Sequence, residues 1–179
     1  MKYIMQNLNR ISKIFLCFAI LFGTIWIGSY ISRLVISYQL FEGPELQLLS
    51  FINKENLNVI LFLIRSIIVL TVITYFAFII NYTIFILTSR IKLKYFGWLF
   101  IVTILIYITF PFELYLILND INFIQLTGAI NFNNDIVFEL FIERFSLLGS
   151  FPIIELFCYF AIIFLLIFKP LEKLPKNED

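Results

Sequence analysis

Four charged residues stand where apolar sequence surrounds them, and they are the side chains best able to do chemistry: Arg33, Arg65, Glu113 and Glu155. Arg33 lies near the C-terminal end of one apolar run and Glu155 near the N-terminal start of another. Each has the sign that a helix dipole favours at its position, so a structural role suffices for both. Arg65 and Glu113 have the disfavoured sign for their places in their own runs. A charge at the centre of a lipid-embedded helix costs roughly 2.5 to 3.5 kcal/mol, and pairing offsets part of that cost. An Arg65–Glu113 ion pair is therefore expected, either purely structural or as a ligand or partner site, with Glu155 and Arg33 as extensions of the cluster.

Two further polar features accompany them. Asn81 falls near the middle of its apolar run, where an amide is expected to hydrogen-bond a neighbouring helix. Asp135, Glu139 and Glu143 recur every four residues and form an acidic stripe, either a solvated face or a docking surface for a basic partner.

Absences narrow the chemistry further. The chain has no histidine, which removes imidazole-held haem, histidine zinc sites and Ser-His or Cys-His nucleophiles. Its two cysteines, Cys17 and Cys158, form no C-x-x-C motif, fall at different depths of their runs and are expected to be packing residues. No phosphate-binding glycine loop, H-E-x-x-H or G-x-S-x-G motif is present. No catalytic residue, metal ligand or cofactor is assigned. A net charge of +1 argues against nucleic acid as a partner.

The elements that must position these residues follow from composition. Of the 179 residues 61% are hydrophobic and only 14% charged, whereas soluble domains carry about a quarter charged. The expected fold is an all-α integral membrane protein, a single domain with four spans at about 14–36, 58–88, 96–118 and 151–168. The outer loops are 37–57 and 119–150, the turn is 89–95 and the tail is 169–179. The first apolar run is too long for a signal-peptide core and lacks an A-x-A site, so it is expected to stay as a span. Thr24, Gly28 and Ser32 form a small-residue stripe suited to close helix approach. Asn56 or Asn58 is the expected cap of the second span, and Pro111 the expected kink in the third. Pro44 is expected to open a short interfacial helix through Ile52, and the 135–148 segment a second amphipathic helix lying on the membrane surface.

Threading follows from lysine and arginine. The N-terminal segment, the 89–95 turn and the tail carry three basic residues each, against Arg33, Lys54, Arg65 and Arg144 on the other side. Both termini are then cytoplasmic, and the default membrane is the cell inner (plasma) membrane. The bilayer is the first partner, with a membrane-protein partner or a homo-oligomer beside it. The expected role is a non-catalytic accessory subunit or assembly factor. The alternative is a small-solute or ion transporter or channel component using Arg65 and Glu113. An intramembrane enzyme is the least supported class, because no nucleophile–base pair is available.

Overall fold

A computed structural model describes residues 8–43, 47–128, 133–147 and 151–172. Five α-helices dominate them: α1 (Arg10–Tyr38), α2 (Lys54–Ser89), α3 (Gly97–Leu126), α4 (Asn134–Leu147) and α5 (Phe151–Phe168). Helices α1, α2, α3 and α5 are each long and apolar enough to cross a membrane. This is an all-α bundle, as composition requires. The Pro44–Ile52 helix is not borne out: Phe41–Glu42 (β1) pairs antiparallel with Gln47–Leu48 (β2) in a short hairpin, with Gly43 at φ 72. Residues 44–46, with Pro44, lie outside the described residues. A positive φ suits glycine, and Gly43 here turns the chain where an interfacial helix was expected.

Helices α1 and α2 form the most extensive pair. Gly23 lets them approach, since a Cβ there would lie 3.1 Å from the Phe78 ring. Serine–threonine hydrogen bonds join them at one end and at the middle of α2, Ser12 Oγ to Thr88 at 3.0 Å and Thr71 Oγ1 to Ser29 at 3.2 Å. The Thr24, Gly28 and Ser32 stripe faces away. A Cβ on Gly28 would meet nothing within 4 Å, and the Thr24 and Ser32 hydroxyls donate to carbonyls of their own helix. The buried stripe is instead Ala19, Gly23, Trp26, Tyr30, Arg33 and Ser37, where Trp26 and Tyr30 fill the interface.

Helix α2 is capped by Asn53, whose side-chain oxygen accepts from the Asn56 N–H at 2.8 Å. The cap falls ahead of both expected asparagines because the polar Lys54-Glu55-Asn56 run is already helical. Helix α3 runs unbroken through Pro111 and continues to Leu126, beyond Asn119 where the span was expected to end. Its extra turns carry the buried residues Asp120 and Phe123. Phe123 packs with Leu61, Ile64 and Ile68 of α2 and with Val137 and Phe141 of α4 in a second hydrophobic core. Phe41 of the hairpin stacks on Phe141 from the other side, with ring centroids 6.3 Å apart. Val137 and Phe141 of α4 are thus buried against protein, while Ile136 on the same helix stays 50% exposed.

At the opposite end of the bundle, α3 meets the residues that follow α5. The Gly97 N–H donates to the Leu171 carbonyl at 3.2 Å, and Phe96 bridges to Glu172. A Cβ on Gly97 would come within 2.7 Å of the Leu171 side chain, so only glycine permits this contact.

Candidate functional site

Five ionisable side chains converge where α1, α3, α4 and α5 meet. Arg33 of α1 makes a bidentate pair with Asp120 of α3, Nη1 to Oδ2 at 2.8 Å and Nη2 to Oδ1 at 2.5 Å. Such forked pairs are the strongest form of carboxylate recognition. Arg144 enters from α4 and bridges two carboxylates. Its Nη2 donates to Glu113 Oε1 at 3.5 Å, and its Nη1 lies 3.3 Å from Asp120 Oδ2 in an ion-pair contact without hydrogen-bond geometry. Glu155 of α5 completes the group, its carboxyl directed at Glu113 and Tyr30. Glu113 and Glu155 are 0% exposed and Asp120 is 1% exposed.

The charges do not cancel. Two guanidinium groups face three carboxyl groups, a difference of one negative charge when all are ionised. Both Glu155 oxygens, Glu113 Oε2 and the Tyr30 hydroxyl are buried with no hydrogen bond of acceptable geometry among the described residues. For Arg144, burial pulls the pKa down, but the adjacent Asp120 and Glu113 carboxylates outweigh it and hold it above its ordinary value. It remains a cation, and α4 is held by that charge. A void of about 10 Å³ beside it, lined by Tyr30, Arg33, Leu34, Arg144 and Pro152, is at the lower limit for one water molecule.

Beneath the charges lies an aromatic layer. The Trp26 ring packs against Tyr159 at 4.6 Å, Tyr75 at 5.1 Å and Tyr30 at 5.3 Å between centroids. The Tyr75 and Tyr159 hydroxyls and Trp26 Nε1 have no hydrogen-bond partner among the described residues. This layer lies between the charge cluster and the half of the bundle that holds the Tyr82–Thr103 hydrogen bond.

Of the residues expected to form the site, the structure brings Arg33, Glu113 and Glu155 together and leaves Arg65 out. Arg65 Nε donates to the Ile124 carbonyl at 3.3 Å, in the last turn of α3. Helix register explains the correction. Across the tight turn, Tyr82 meets Thr103 and Tyr75 stacks on Phe110, and the same antiparallel register carries Arg65 past Glu113 to Ile124. A cation at the C-terminal carbonyls of α3 has the sign that this neighbouring dipole favours. Asn81 donates to the Ala77 carbonyl of its own helix at 2.7 Å, not to a neighbouring one. The stripe residues Asp135, Glu139 and Glu143 are all exposed along one side of α4, and Glu143 accepts from the Asn119 amide at 3.3 Å.

Asp120 and Arg144 are the members that sequence reasoning missed, and both had a signal. Asp120 follows Glu113 by seven residues and Leu116 by four, which places all three on one helical face once α3 continues past Asn119. Arg144 follows Val137 by seven residues and Phe141 by three, on the buried side of α4. Among the described residues, no group of three or more histidine, cysteine or acidic side chains is arranged to hold a metal ion. Compared with family models, curated proteins and solved structures, the chain matches none.

Proposed function

We propose that this is a multi-pass protein of the cell inner membrane, with both termini cytoplasmic, acting without catalysis as an accessory subunit or assembly factor of a membrane complex. The mounting of α4 carries this reading. Arg144 is locked between Glu113 and Asp120 while Asp135, Glu139 and Glu143 stand exposed on the same helix. A helix held by a buried ion pair presents its acidic side in one orientation, which lowers the ordering cost of engaging a partner. The complementary surface is basic, and complementarity of this kind favours encounter and specificity. The distribution of lysine and arginine supports this threading, in which α4 and the hairpin lie outside the cytoplasm.

The test is gentle extraction of the tagged protein from its native membrane, followed by native mass determination. A partner at fixed stoichiometry that is lost in the Asp135→Lys/Glu139→Lys variant supports the reading. A lone monomer or homo-oligomer, or a partner indifferent to that reversal, overturns it.

One observation favours a second reading, a component for moving ions or small solutes. It is the uncompensated carboxyl of the Glu113–Glu155 pair, in which Glu113 Oε2 and both Glu155 oxygens are buried without a hydrogen-bond partner among the described residues. A monovalent cation that raises the melting temperature of the wild-type protein but not of Glu155→Gln would support it. Equal melting in sodium, potassium and choline salts would remove it.

A further inference from the structure

The half of the bundle beneath the aromatic layer contains a cleft of about 340 Å³ between α1 and α5. Ala19, Gly23 and Ile27 form one wall, Ile162 and Leu166 the other, and Trp98 lies in the floor. Lys169 stands at the end where the basic residues of the chain gather.

Dimensions decide what fits. Along α1 the lining runs from Leu16 to Ile27, about 16 Å at 1.5 Å per residue. Half of a hydrocarbon core is about 15 Å. The cleft therefore has the depth of one leaflet. One extended hydrocarbon chain matches that length, and Lys169 at the mouth sits at the depth of a phosphate.

We propose that this cleft binds one acyl chain of an anionic phospholipid from the leaflet at the basic end, with the phosphate at Lys169. The site is separate from the acidic side of α4 and rests only on the reading of the four long helices as membrane spans. A chain held there covers the gap left by α1 and α5 and completes the packing of Trp98.

The two tryptophans provide the test, because Trp98 lines the cleft and Trp26 does not. Single-tryptophan variants, Trp26→Phe and Trp98→Phe, are reconstituted in phosphatidylglycerol vesicles with brominated acyl chains. Bromine quenches indole fluorescence at contact. The expected result is that Trp98 is quenched at least twofold more than Trp26, although Trp98 is only 6% exposed and Trp26 0%. Filling the cleft by Ala19→Phe, or from the other wall by Leu166→Phe, should reduce Trp98 quenching to the Trp26 level. Replacing Lys169 by glutamate should remove the preference for phosphatidylglycerol over brominated phosphatidylcholine. Equal quenching of the two tryptophans in protein that floats with the vesicles overturns the proposal while leaving the spans intact. So does quenching of Trp98 that neither filling variant reduces.

Discussion

Asp120 is the residue on which the charge cluster depends, because it faces both guanidinium groups. Removing one partner of a buried ion pair leaves an uncompensated charge and costs about 3 to 5 kcal/mol. Asp120→Asn is therefore expected to lower stability by about that amount in denaturant or thermal melts, whereas exposed Glu139→Gln should change it by less than about 0.5 kcal/mol. Glu155→Gln removes the odd carboxyl and should be neutral or stabilising, while Glu113→Gln, which weakens the hold on Arg144, should destabilise. Reversing Arg65 and Glu113 together is not expected to rescue either single reversal, since the two do not meet. Their mismatch was legible in principle. Depth counted from the tight turn separates the residues by about two helical turns, whereas a third span ending at 118 makes them neighbours, and α3 runs on to Leu126.

Helix packing here is decided by shape more than by residue class. The spacing of Thr24, Gly28 and Ser32 is the pattern of a close-contact face, yet that face is open and Gly23 carries the contact. The α1 face that can bury Trp26 and Tyr30 gains far more contact area than small side chains provide. Gly23→Leu should destabilise by about 1 to 3 kcal/mol, because the Phe78 ring must move. Gly28→Ala, with open space around it, should stabilise by about 0.5 to 1 kcal/mol through helix propensity. Paired melting curves in one detergent separate the two. The hairpin at Phe41–Leu48 was not legible from local periodicity, because Phe41 is held by rings of α4 almost a hundred residues further along the chain. Alanine at Asn53 should cost about 1 kcal/mol through the lost cap.

At the scale of the whole molecule, the four long apolar helices were visible in hydropathy alone, and the structure places charge at one end of the bundle and an apolar cleft at the other. The sequence showed that four charges were out of place but not how they pair. Those pairings depend on where α3 stops and on which side of α4 turns inward, and tertiary contacts settle both. Threading is testable directly. Reporters fused after residue 172 should be active only if they function in the cytoplasm, and reporters inserted at 129–132 only if they function outside it. The opposite pattern would invert the positive-inside assignment.

The Arg33–Asp120 pair joins residues 87 positions apart in the chain. At roughly 5 to 20 residues per second, the ribosome takes about 4 to 17 s to supply the aspartate after the arginine. Throughout that interval Arg33 lacks its Asp120 counterpart, and Arg144 and Glu155 arrive later still. Nascent chains halted between residues 90 and 115 should therefore remain bound to the insertion machinery or be degraded, whereas chains that have cleared α5 should be released into lipid. That outcome would make membrane assembly of this protein a matter of chaperoned timing as well as hydrophobicity.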